Sequence, residues 1–406
     1  MRGFQDIDSN PREPHADAAL ADAVRLLSLV ADSGEGHPPE HCARVASVAV
    51  KLAEAGGLCG EDLRATYYAG LLHEVGSLAL GATHAGSTSS LERSKMVAMW
   101  DHPAQGARIC AGIAALPAHT ADLVRWHHES WDGSGYPDQL RWNAIPRQAQ
   151  FLRVADAFVS MMAPRPHREP RPAGEAYAEI LEATGRDFSP AAVSVFGTCF
   201  RTQNAVLVED LPAPGPALSA YDTDAAHILR MIGELVDNRL QNGGRNARIA
   251  ELAMRTAGKL AISQGERAEL KHAVSLVEIG TVSLTLDEYL NFDVVSRLHR
   301  AERARTSTLA GNLAGRTPTF ASLAPILRAQ QEWFDGSGFP DRLAGSAIPI
   351  VARILAACAA YDSLERARQL KPLNAFDPSN QLEGAAGTQF DPAVISALLA
   401  SLPAPA

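Results

Sequence analysis

The stretch His127-His128-Glu129-Ser130-Trp131-Asp132-Gly133-Ser134-Gly135-Tyr136-Pro137 recurs 203 residues later as Gln330-Gln331-Glu332-Trp333-Phe334-Asp335-Gly336-Ser337-Gly338-Phe339-Pro340. Glycines, proline and an aromatic persist in both copies, whereas only the first keeps imidazoles able to hold a metal. The repeat extends outward from this loop. His41 through Ala46 match Arg245 through Ala250, and Leu72-His73-Glu74-Val75-Gly76 matches Leu276-Val277-Glu278-Ile279-Gly280. Ala144-Ile145-Pro146 pairs with Ala347-Ile348-Pro349, and Phe188-Ser189-Pro190 with Phe390-Asp391-Pro392. The nearly constant offset indicates duplication.

Apolar residues fall at helical spacing, as in Leu20, Val24, Leu27 and Val30, then Val45, Val48 and Leu52, which predicts an all-α protein. One short strand signal stands at Ala205-Val206-Leu207-Val208. At 406 residues the chain exceeds the roughly 100–200 residues of one domain, so two domains are expected, each able to bury its own core. The proline-rich stretch from Leu211 to Ala220 reads as the connection. This divides the chain into a flexible N-terminus at 1–15, a first domain at 16–205, a linker at 206–221 and a second domain at 222–406.

A net charge of -9 without a basic block argues against duplex nucleic acid as a partner. Five cysteines lack a CxxC pair and suit a reducing compartment. The polar N-terminus lacks the apolar core of a signal peptide, and no run approaches the roughly 20 apolar residues of a membrane span. A soluble cytoplasmic protein is expected.

In the first half, His41, His73, His102, His127 and His128 fall on separate predicted helices or helix ends, together with Glu74 and Asp156. Collected by folding, such nitrogen and oxygen donors suit two or more divalent transition metals, iron or manganese before zinc, because no thiolate accompanies them. Glu74 follows His73 directly and projects about 100° away around a helix, which suits a bridging ligand.

With its Val154-Ala155-Asp156, the chain resembles the HD-GYP family of HD phosphohydrolases, over about Asp17 to Phe200 and, degenerately, about Asp222 to Leu402. The resemblance implies tandem all-helical bundles and a metal-dependent phosphodiesterase that hydrolyses a cyclic dinucleotide, chiefly cyclic di-GMP, through a metal-activated water. It carries over His41, His73, Glu74, His102, His127, His128 and Asp156 as metal ligands for two divalent cations, with Glu74 and Asp156 counted as catalytic. Gly135, Tyr136 and Pro137 correspond to the loop beside the substrate, and Arg165 and Arg168 to a basic segment able to hold phosphate oxygens.

The sequence departs from the family at several positions. Glu74 replaces the aspartate of the naming doublet, Ser77 the lysine that follows it, Val159 a second aspartate after Asp156, and His37 a glutamate that supports a third metal. In the second half, Arg245, Val277, Arg305, Gln330, Gln331 and Ala359 replace the ligands and Glu278 alone persists, so no metal is expected there. That half would stabilise, dimerise or regulate the first. The loop from Gly81 to Ser90 reads as solvated, or as a lid over the metals. Two other readings compete: a signalling adaptor in which catalysis is lost, favoured by Glu74 and Ser77, and a phosphohydrolase of another nucleotide.

Overall fold

The computed structural model describes residues 14–81, 90–164, 169–203, 225–241, 243–285, 288–289, 300–370 and 376–403. The strand signal at 205–208, the linker, Arg165, Arg168 and positions 82–89 lie outside them. Among the described residues the chain is all helical, with isolated bridges at Thr184–Phe188 and Ala386–Phe390 in place of a sheet.

The first repeat comprises α1 (Pro14–Glu35), α2 (His41–Ala55), α3 (Glu61–Leu72), a 3-10 turn (Val75–Ala79), α4 (Ser90–Ala111), α5 (Thr120–Arg125), α6 (Arg147–Met162), α7 (Ala173–Glu182) and α8 (Pro190–Gln203). The same order returns in the second, beginning with helices Ala225–Arg239 and Arg245–Ala257. Helix α2 packs on α3 and α6, driven by Val45, Val48 and Leu52, which are fully or almost fully buried.

An aspartate in the preceding helix anchors the second helix of each repeat. The Cys42 amide donates to Asp32 at 3.2 Å, and the Asn246 amide donates to Asp237 at 2.7 Å. Each bond satisfies an amide of the first helical turn that has no intrahelical partner. Burial raises both carboxyls, Asp237 to about 6.

Separate cores were expected, yet one apolar cluster runs through both repeats. Leu20, Val24, Leu26, Leu27 and Val30 are all fully buried, covering more than one face of α1. A helix apolar on several faces must be enclosed. Helix α1 meets α2 and α3 within its own repeat and the Ala225–Arg239 helix and Ile279–Ser283 turn of the other. Reciprocally, the Ala225–Arg239 helix packs on Val75–Ala79. Each repeat therefore presses its first helix against the turn that follows the other's His-Glu or Val-Glu doublet.

Close backbone approach aligns the repeats residue by residue. A Cβ on Gly76 would lie 1.9 Å from the His102 carbonyl oxygen, and one on Gly280 1.9 Å from that of Thr306. The structural counterpart of His102 is thus Thr306, not Arg305 as the sequence alignment had it. The register slips by one residue between this contact and the glycine-rich loop.

Candidate metal centre

Three histidines are aimed by the same local device. His73 Nδ1 meets the Gly70 carbonyl at 2.8 Å, His102 Nδ1 that of Met99 at 2.6 Å, and His127 Nδ1 that of Val124 at 2.6 Å. Each carbonyl lies three residues upstream, at a helix end or a break. Helix α3 ends at Leu72 and α5 at Arg125, where carbonyls run out of intrahelical donors. Pro103 lies inside α4; having no N–H, it leaves the Met99 carbonyl for His102. With Nδ1–H committed in this way, every Nε2 presents a lone pair to the interior.

Those nitrogens converge with two carboxylates. His102 Nε2 lies 3.2 Å from His127 Nε2. Glu74 approaches His73 at 3.6 Å, His102 at 3.6 Å and His37 at 3.7 Å, while Asp156 approaches His41 at 3.7 Å and His73 at 3.8 Å. Ligand atoms fall into three sets, each within 4.8 Å: His102, His127 and His128; His37, His41 and Glu74; His41, His73 and Asp156. All seven ligands expected from the sequence are brought together. His37, which the sequence marked only as a departure, joins them, its ring stacked on His41 at 4.3 Å between centroids.

The donor set fits cations. Two imidazole lone pairs 3.2 Å apart repel, yet that spacing is close to the roughly 3 Å between neighbouring nitrogens on one ion at a metal–nitrogen distance of about 2.1 Å. His73 Nε2 and both nitrogens of His41 are buried without a hydrogen-bond partner, a costly state unless a ligand completes it.

Protonation favours the same reading. Burial first, then the neighbouring imidazoles, push His127 down to about 3 and His128 well below its usual range. Burial would raise Glu74, but His37, His73 and His102 outweigh it and hold the carboxyl well below normal. Asp156 is likewise lowered against burial by His41, His73 and His128. Neutral imidazoles beside ionised carboxylates are the forms that bind metal.

The glycine-rich loop forms one wall. Gly135 presses on the Ser130 amide, where a Cβ would come within 2.2 Å, and Gly338 does the same against Trp333 at 2.1 Å. Glu129 accepts from the amides of Asp138 at 2.7 Å and Leu140 at 3.0 Å; Glu332 accepts from Asp341 and Leu343 at 2.6 and 3.0 Å. Asp132 and Asp335 each accept from the serine amide two residues on. Tyr136 sits 4.9 Å from His128, ring to ring, and joins Pro137 through a cis peptide. Sequence reasoning overlooked Glu129 as the residue that shapes the loop, although its persistence as Glu332 was the available signal.

His37, Glu74, His102, His128, Tyr136 and Asp156 border a cavity of about 580 Å³. The corresponding place in the second repeat holds about 40 Å³. There Arg245 reaches Glu278 at 3.2 Å, Asp362 at 2.8 Å, Ser363 at 3.0 Å and the Ala359 carbonyl at 3.2 Å. Burial opposes its charge, but the two carboxylates prevail and raise its pKa. Arg305 lies outside this cluster, paired with Glu288 at 3.1 Å.

Among curated proteins, the chain is 28% identical over 178 residues to a cyclic di-GMP phosphodiesterase of Thermotoga maritima, covering 44% of this chain and 48% of that one. It is 34% identical to the cyclic di-GMP phosphodiesterase response regulator RpfG of Xanthomonas campestris, covering 42% and 46%. The 3'3'-cGAMP-specific phosphodiesterase 3 of Vibrio cholerae aligns at 26% identity over 68% of this chain and 61% of its own. This chain thus spans about half the length of the first two relatives. A crystal structure of a cyclic GMP-AMP specific phosphodiesterase from V. cholerae shares the fold, with TM-score 0.67 and 21% identity over 95% of this chain and 98% of that one. An HD domain model matches residues 25–191 and again 230–394; the chain belongs to the HD domain family, as a tandem repeat of HD-GYP type.

Proposed function

We propose that the first repeat is a metal-dependent phosphodiesterase acting on a cyclic dinucleotide, cyclic di-GMP foremost. The facing Nε2 lone pairs of His102 and His127, closed in with two ionised carboxylates, carry this reading. His41, His73, Glu74, His102, His127, His128 and Asp156 would hold two divalent cations, with His37 as a further donor. Iron or manganese suits this thiolate-free set. Such cations supply an activated water and neutralise charge at phosphorus. Burial keeps His127 and His128 neutral, and the surrounding histidines keep the carboxylates ionised, while Gly135, Tyr136 and Pro137 shape the wall beside the phosphodiester. Arg165 and Arg168 are proposed as further phosphate contacts.

A second substrate, 3'3'-cGAMP, is favoured by the Vibrio relative that bears that name and aligns across 68% of this chain. The second repeat, from about residue 222, is proposed to hold no metal, because Arg245 already fills its centre. No helix among the described residues is long and apolar enough to cross a membrane, and the cysteines are free; both support a cytoplasmic setting. Metal analysis of fresh protein, followed by assays with cyclic di-GMP and 3'3'-cGAMP, tests the proposal. Bound iron or manganese with turnover of either nucleotide is expected; tightly held metal with both nucleotides left intact would refute the substrate class.

A further inference from the structure

The cavity of the first repeat is not built by that repeat alone. Arg239, the last residue of the Ala225–Arg239 helix, crosses the interface and lines the same 580 Å³ space as Glu74, His102 and Asp156. It is only 9% exposed. Its Nη1 donates to the Ser77 carbonyl at 3.2 Å and its Nη2 to the Gly34 carbonyl at 2.5 Å. Gly34 lies at the end of α1, where the helix dipole favours a cation.

These contacts hold the guanidinium without balancing it. Among the described residues Glu35 is the carboxylate paired with it, at 3.8 Å and 38% exposed, a loose, water-screened pairing. A guanidinium carries five N–H donors, and Nε is buried with no partner. Burial accordingly lowers the pKa, with Glu35 opposing. A buried, under-neutralised cation with donors to spare is costly in isolation. It becomes favourable once an anion enters, and its planar fork matches phosphate oxygens.

We propose that Arg239, supplied by the second repeat, is a phosphate-binding residue of the first repeat's metal pocket. The assignment rests on the phosphodiesterase reading for its natural ligand, but on the geometry alone for its anion. The second repeat thereby completes the substrate site while lacking metal ligands of its own. Glu35 competes for the same guanidinium and sets how strongly it attracts phosphate.

The test is calorimetric binding of inorganic phosphate to the metal-loaded full chain, with metal content and Tm measured in parallel. Arg239→Gln should weaken phosphate binding by about tenfold or more at unchanged metal content, the order expected of a charge-assisted hydrogen bond. Arg239→Lys should recover part of that loss. Glu35 lines the same cavity, so Glu35→Gln, which leaves both carbonyl contacts in place, should tighten phosphate binding in the wild type but not in Arg239→Gln, a dependence that a purely structural arginine would not produce. With cyclic di-GMP, Arg239→Gln should raise KM by more than it lowers kcat. Unchanged phosphate affinity in both Arg239→Gln and Glu35→Gln overturns the assignment, even if Tm falls. Should Arg239→Gln not fold, Arg239→Lys with and without Glu35→Gln decides: an unchanged phosphate affinity in Arg239→Lys, and a Glu35→Gln effect equal to that in the wild type, overturn the assignment. If the wild type cleaves no cyclic dinucleotide yet its phosphate affinity depends on Arg239, the substrate reading falls and the arginine assignment stands.

Discussion

The two centres of this molecule answer one electrostatic problem in different ways. Glu74 and Asp156 in the first repeat, and Glu278 and Asp362 in the second, are carboxylates in or near the interior that need positive charge beside them. The first surrounds them with imidazoles whose lone pairs face inward, the second with the guanidiniums of Arg245 and Arg248, the latter 2.6 Å from Asp362. An arginine stays protonated, so the second centre is neutralised permanently and its cavity is almost closed. Imidazoles leave the first centre open and able to take up an ion. Without imidazoles the second centre must meet its carboxylate with another cation, and Arg245 also binds Asp362, which has no carboxylate counterpart at Val159.

Four changes would break or sharpen that contrast. His127→Ala should reduce metal affinity by more than about a hundredfold, beyond the usual cost of changing an outer-shell partner, and abolish hydrolysis; Gln330→Ala, its counterpart, should change neither. Elemental analysis and turnover of cyclic di-GMP measure both. Arg245→Ala should cost about 3–5 kcal/mol by denaturant unfolding, because it strands the buried Glu278 and leaves Asp362 only Arg248, while metal content of the first repeat persists. Equal stability would mean that the second centre needs no cation.

Glu129→Gln and Glu332→Gln should each cost about 1–3 kcal/mol, since both carboxylates satisfy loop amides. Only the former should also lower kcat/KM, because only its loop lines a metal pocket. The smallest effect concerns acid. In metal-free protein, His127 is held near 3 in the folded state against about 6.5 when unfolded. The unfolded chain binds more protons between those values, so this residue's share of stability falls as pH drops from about 6.5 towards 3. Unfolding measured across that range should show a shallower slope in His127→Gln, whereas metal, which holds only deprotonated ligands, should steepen it.

Much of the site was legible without coordinates because duplication acts as an internal control. Residues that persist in both copies, such as Gly135 and Gly338 or Glu129 and Glu332, serve the loop's shape, whereas the histidines lost from the second copy are those that the first gathers into groups able to hold a metal. The method failed where the repeats slip in register: Arg305 was aligned with His102, but the Gly280 contact shows that Thr306 occupies that place. It also undervalued His37, since a spacing comparison cannot show that a replaced glutamate leaves another donor aimed at Glu74.

Helical periodicity, the repeat and the selective loss of histidines were sufficient for the fold class and for naming the side chains that converge, because both depend on local spacing and residue chemistry. How the repeats meet depended on tertiary packing. Helix α1 is apolar on several faces because it is shared, so the expected pair of cores became one. Arg239 gains its place in the pocket only through that shared interface. Its place on the cavity wall arises from contacts between residues more than 150 positions apart, which no sequence period records.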